Sequence, residues 1–250
     1  MLHRDHTRLF SAALIATFAL SDLVQADTAL ETETADLGTK GESNFSQSVQ
    51  VETSPDGKAL FTLNQYEYAV TSRAEILIEP FFYEAVFPND GPMVSGLGDL
   101  EITPSYMVIL EGVWMPAIVT SFKVKVPTAT NLDIGTGKFD YYPYLILGKH
   151  IGRLDLNANI GVSFFGQPDS GAHLDNQLIY DLAAQNLVSE HLQVIVEIFG
   201  NTKPSADEDG TFAGSAALEY EVGKHFNIFV AAGYDTGKLF NVRPGFNIPF

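Results

Sequence analysis

The chain has 250 residues, with 31 acidic against 14 basic and a formal net charge of −17. That balance excludes a nucleic-acid binder, which needs clustered Lys and Arg to meet phosphates. The lack of cysteine excludes a disulfide-stapled domain, thiolate metal sites and Cys nucleophiles. With only 18% charged residues but 18 Phe and 10 Tyr, the composition suits a sheet with one face in an apolar medium, or a plain β-sandwich.

At the N-terminus, Arg4 and Arg8 precede the apolar run Leu9 to Leu20, and Val24 and Ala26 place small residues before a cut ahead of Asp27. Basic start, apolar middle and small-residue exit make a secretory signal peptide of residues 1–26. The run is too short for a helix to cross a hydrocarbon core about 30 Å thick. Residues 27–44 are acidic and Thr-rich, without a hydrophobic period, and are expected to be a flexible periplasmic segment. No later stretch has the roughly 18 consecutive apolar residues of a spanning helix, so any crossing of a membrane must be made by strands.

From Phe45 the chain alternates. Phe240, Val242, Pro244, Phe246, Ile248 and Phe250 share one face, opposite Asn241, Arg243, Gly245 and Asn247. Leu154 to Phe164, Pro116 to Val126, Leu192 to Ile198 and Ala216 to Val222 repeat the pattern. Side chains of a strand alternate faces, and segments of about 10 residues with one greasy and one wet face mark a membrane barrel. Strands are expected at about 46–54, 59–70, 74–83, 98–110, 113–126, 139–149, 153–165, 176–189, 192–201, 212–223, 227–235 and 239–250. The fold is thus all-β: a transmembrane up-and-down antiparallel β-barrel of about 12 strands over residues 45–250.

The connections support this. Tight turns near Thr71–Arg73, Glu111–Gly112, His150–Gly152, Glu190–His191 and Lys224–Phe226 alternate with longer loops at 84–97, 127–138, 166–175 and 202–211, as periplasmic turns and extracellular loops do. The short hairpins at Pro55–Lys58 and Thr236–Lys238 break the alternation. Pro104, Pro116 and Pro143 each remove a ladder donor and are expected at bulges. Terminal Phe250 resembles the C-terminal signal read by the outer-membrane assembly machinery.

The stretch 95–166 carries Gly96-Leu97-Gly98-Asp99-Leu100, then Lys125-Val126-Pro127-Thr128, then Gly135-Thr136-Gly137 with Asp140. In order and spacing it resembles the family named for the meta-pathway of phenol degradation, a set of outer-membrane barrels. This chain departs from the pattern at Ala129, where the family often has Gly. The resemblance implies a barrel that passes or binds small, hydrophobic or aromatic compounds, and it supplies no catalytic residues. Gly96, Gly98, Asp99, Pro127, Thr128, Gly135, Gly137 and Asp140 are the candidate rim residues, with the glycines permitting tight turns or bulges.

Alternation places Glu67, Glu75, Glu79, Glu101, Asp155, Asp181, Glu197, Glu219 and Glu221 on the inner face with Lys123, Lys125 and Arg243. Twelve strands about 4.8 Å apart and tilted by about 40° enclose a lumen of roughly 10 Å. The expected function is a channel or transporter for small solutes in the bacterial outer membrane, weakly cation-preferring because carboxylates are in excess. A filled structural barrel binding an envelope partner is the second class. An outer-membrane lipid-modifying enzyme is the third, resting on Ser170 and His173 with Asp169 or Asp175 in one outer loop. Asp207, Glu208 and Asp209 lack the spacing of a calcium loop. No metal, cofactor or nucleic acid is expected; the expected partners are outer-membrane lipid, the barrel assembly machinery and a small solute.

Overall fold

The computed structural model describes residues 31–79, 83–169, 173–203 and 209–250. The expected signal peptide and the residues just after it lie outside that range, as do Ser170, Asp207 and Glu208. Among the described residues there is no helix, and the strands are β1 (Ser43–Ser54), β2 (Gly57–Thr71), β3 (Ala74–Glu79), β4 (Tyr83–Pro88), β5 (Val94–Leu97), β6 (Leu100–Ile109), β7 (Ala117–Val126), β8 (Asp140–Ile151), β9 (Leu154–Ser163), β10 (Gln177–Leu187), β11 (Leu192–Asn201), β12 (Phe212–Gly223), β13 (Phe226–Asp235) and β14 (Phe240–Pro249).

These fourteen segments form twelve staves. β3 and β4 both pair with β2, through Tyr66↔Ile78 and Thr62↔Tyr83, and are the halves of one stave. β5 and β6 pair with β4 and β3 respectively and form the next. β1 pairs with both β14 and β2, so the antiparallel sheet closes on itself. Closure is what lipid demands, since an open edge would leave N–H and C=O groups unpaired in hydrocarbon.

The outer wall carries the apolar row: Val196, Leu182, Ile160, Leu218 and Val230 are about half exposed, as lipid-facing side chains are when measured without lipid. The residues between them point inward and are buried, as the strict alternation of β10 and β7 shows.

Two boundaries differ from expectation. The loop expected at 84–97 is short, because β4 runs on to Pro88 and β5 begins at Val94. The turn after β6 is longer than a two-residue hairpin, because β7 starts only at Ala117, leaving Pro116 in the turn.

The prolines do not sit at bulges. Pro116 lies in a turn, and the in-strand Pro104, Pro143 and Pro244 each lie where one ladder is interrupted. β6–β7 pairing passes from Ile102↔Val124 to Ser105↔Ser121, skipping Pro104. β8–β9 pairing is continuous only from Tyr144↔Gly161, beyond Pro143. β1–β14 pairing steps from Ser48↔Gly245 to Val51↔Val242, past Pro244. On its other side each proline stays paired, with Ile76, Phe122 and Val230. A missing donor therefore interrupts one ladder and leaves the stave in place.

Candidate functional site in the barrel lumen

At the outer end, the separated Gly- and Pro-containing motifs come together. Asp99, at the join of β5 and β6, accepts hydrogen bonds from the backbone N–H of Thr128 (2.8 Å) and Ala129 (2.7 Å) through one oxygen. Its other oxygen faces Lys125 Nζ at 3.4 Å. Lys125 also pairs with Asp140 and donates to Thr136 Oγ1 at 3.1 Å. Thr128 Oγ1 accepts from Leu100 N, and Asp140 accepts from Gly166 N at 2.8 Å. The glycines are needed for close approach: a Cβ on Gly135 would stand 2.5 Å from that of Ala129, and one on Gly96 would stand 2.8 Å from Thr130 Oγ1. Ala129, the departure from the family pattern, fills the space that Gly135 leaves. Pro127 ends the strand before this turn. Gly98 lies at the β5–β6 join, and Gly137 takes a φ of 68° in the following loop. The cluster fixes three loops to the rim, a structural task done with buried charge.

Deeper in the wall, Lys123 of β7 pairs with Glu101 (2.8 Å) on the neighbouring β6 and with Glu79 (3.2 Å) on β3, one stave further on. Glu67 is buried on β2, Glu75 half-buried on β3 and Asp155 half-buried on β9 near His150. Glu219 accepts from Asn227 and Asn247 at 2.9 and 3.1 Å. Glu221 keeps the register of Glu219 through its pairing with Asn227, but it lies exposed at the tight-turn end beside His191, where the ladder then shifts before Gly223.

Nor is the inner wall uniformly polar. Ala117, Val119, Tyr142, Tyr144, Ile146 and Ile179 form one buried apolar patch, Ile195, Ala217, Phe229 and Ala231 a second, and Ala59, Phe61 and Val86 a third. The expectation of a mostly acidic inner face is corrected accordingly.

The largest departure is the segment before β1. Instead of a free periplasmic tail, residues 31–37 form a strap inside the barrel. At its lower end Gly41 N donates to Ala69 O and Ala69 N to Glu42 O, tying it to β2. Ala35 and Leu37 are buried in the first apolar patch, and Ala35 N donates to Asn157 Oδ1 at 3.0 Å. Higher up, Ser121 Oγ donates to Glu33 at 3.1 Å. Glu197 receives the N–H groups of Glu31 and Thr32 and the Thr32 hydroxyl, and Arg243 pairs with Glu31 at 3.2 Å. A signal was present in the sequence: Glu31, Glu33, Ala35 and Leu37 alternate with Thr32, Thr34 and Asp36. Because Thr32 and Thr34 are buried as well as the first row, no single greasy face gave the segment away.

The strap divides the lumen. Above it lies a cavity of about 670 Å³, including space open to solvent, lined by Glu31, Glu52, Ile179, Asp181, Phe199 and Asp235 among others. Below it a second, of about 900 Å³ on the same measure, is lined by Thr34, Asp36, Lys149, Asp155, Gln185 and Glu219 among others. At the lower mouth, Glu111 of the β6–β7 turn accepts from Lys149 (2.7 Å) and His150. The hydrogen bond from Lys149, and next that from His150, hold its carboxyl down at about 2.

The enzyme constellation is not assembled among the described residues. His173 is exposed beside Asp175 at 3.3 Å, Asp169 pairs with Lys138, and Ser170 lies outside the described residues. Among those residues no group of acidic or His side chains is placed to hold a metal ion.

Among solved structures, an outer membrane channel from Pseudomonas putida F1 matches with a TM-score of 0.71 at 12% identity, over 86% of this chain and 98% of the other. The KdgM porin in complex with disordered oligogalacturonate matches at 0.57 and 13%, over 82% and 99%. The translocator domain of the autotransporter NalP from Neisseria meningitidis matches at 0.59 and 9%, over 98% and 97%. At such identities the likeness shows a common fold, that of bacterial outer-membrane β-barrels. No curated protein matches the sequence. Residues 4–239 match the family described as "Putative MetA-pathway of phenol degradation".

Proposed function

The chain belongs to that phenol-degradation family, and from this premise we propose that it is an outer-membrane channel for small solutes with apolar, often aromatic, bodies. One observation carries the reading: a closed wall encloses two cavities, with Glu31 of the strap lining one and Thr34, Ala35 and Asp36 of the strap lining the other. The inner apolar patches bring the buried rings of Tyr142, Tyr144, Phe61 and Phe229 beside charged rows, a wall chemistry that suits solutes greasy at one end. A structural neighbour titled the CymD monoaromatic hydrocarbon channel, at a TM-score of 0.50 and 7% identity, has the same general fold.

In the conformation described, the strap is the constriction, so passage requires it to loosen. Glu197 is its main anchor, receiving hydrogen bonds from two backbone N–H groups and one hydroxyl. The test is conductance of refolded protein in planar bilayers, for the intact chain and for Glu197→Ala. A low or flickering current in the first and a several-fold larger one in the second is expected. If neither conducts, even with residues 27–42 removed, the channel reading fails. The filled-barrel reading, which the apolar docking of Ala35 and Leu37 favours, would then stand.

A further inference from the structure

We propose that the outer vestibule is a binding site for small organic cations, a protonated amine carried on an apolar or aromatic body. The inference deepens the channel reading by naming what the upper cavity selects.

The cavity above the strap is lined by Glu31, Glu52 and Asp181. All three are more than nine-tenths buried. Glu31 Oε2, Glu52 Oε2 and Asp181 Oδ2 have no hydrogen-bond partner among the described residues. The nearby cation, Arg243, is engaged with Glu31, and Glu197 adds a further carboxylate just beneath. The upper lumen thus places more acidic than basic side chains on a confined surface.

A carboxylate removed from bulk water is costly unless its charge is met. Water can satisfy the lone pairs but does not neutralise the charge. Two features decide between a metal ion and an organic cation. The described acidic groups do not converge closely enough to coordinate a metal. Between them stand Ile179, Phe199, Ala213 and Leu239, which would have nothing to do for a bare or hydrated ion. Separated carboxylates with apolar surface between them suit an ammonium head with a hydrocarbon body.

Direct binding separates this site from conduction. Detergent-solubilised full-length protein is titrated calorimetrically with benzylammonium, benzyl alcohol, benzoate and Ca²⁺. Benzylammonium is expected to bind more tightly than the neutral alcohol, and benzoate not at all. Glu52→Gln and Asp181→Asn should each weaken the amine on the order of tenfold, whereas Glu221→Gln, at the exposed lower rim, should leave it unchanged. Glu52→Gln alone suffices if Asp181→Asn does not refold. Equal binding of alcohol and amine, tighter binding of Ca²⁺, or amine binding indifferent to both substitutions would overturn the proposal. A protein that conducts but does not bind the amine sinks the vestibule site alone. One that binds it without ever conducting retains the site and sinks the channel.

Discussion

Lys125 shows how a single side chain can hold a rim. It is buried between Asp99 and Asp140, and Asp99 at the same time clamps the backbone after Pro127. Lys125→Ala would leave two carboxylates buried without their cation. The expected loss is about 3–5 kcal/mol, the usual result of removing one partner from a buried pair, measured by urea titration of protein folded into lipid vesicles. Lys149 and Glu111 make the opposite case at the lower mouth, where the pair is in contact with water. The Glu111 carboxyl titrates at about 2 when folded, against an ordinary 4.5. Because its folded value is depressed, its contribution is fully present above pH 4.5 and is lost as pH falls toward 2. Following that carboxyl by NMR should therefore show a midpoint well below 4.5, and Lys149→Met should return it toward the ordinary value.

At the scale of elements, the strap obeys different rules from the strands. A strand of the wall is held by a continuous backbone ladder, and its side chains need only alternate. The strap has a backbone tie to the barrel at Gly41 and Glu42; above it, the contacts given are with side chains: Asn157, Glu197, Ser121 and the first apolar patch. Such a segment can be dislodged by shape without touching its polar contacts. A Cβ on Gly148 would stand 2.4 Å from that of Ala35, so Gly148→Val should push the strap from its bed. The expected outcome is faster cleavage after Glu31 and Glu33 by a Glu-specific protease, with the heat-resistant mobility of the barrel retained. Unchanged cleavage would mean that the polar anchors alone hold the strap.

For the molecule as a whole, the wall is a two-sided object with hydrocarbon on one side and a charged, partly filled interior on the other. Val196 is about half exposed on the outer wall, while its neighbours Ile195 and Glu197 point inward and are buried. Val196→Arg would face lipid near mid-wall and is expected to cost about 2–4 kcal/mol, read by urea titration in vesicles. A substitution that proved neutral there would contradict a lipid-facing wall.

What the sequence determined by itself was the wall. Alternation is a local property, forced by the pleat at every second residue, so strands of about ten residues, their inner and outer rows and a count of twelve staves were legible without any coordinates. The motifs around Gly96, Pro127 and Gly135 could be recognised as belonging together, though not as the parts of one ion cluster. Only the tertiary structure decided what fills the interior. The docking of Glu31 to Leu37, the apolar patches and the gathering of carboxyl groups in the vestibule depend on which residues meet across the lumen, often more than 100 positions apart in the chain. No periodicity encodes such meetings, because each is set by closure of the sheet and by the room that closure leaves inside.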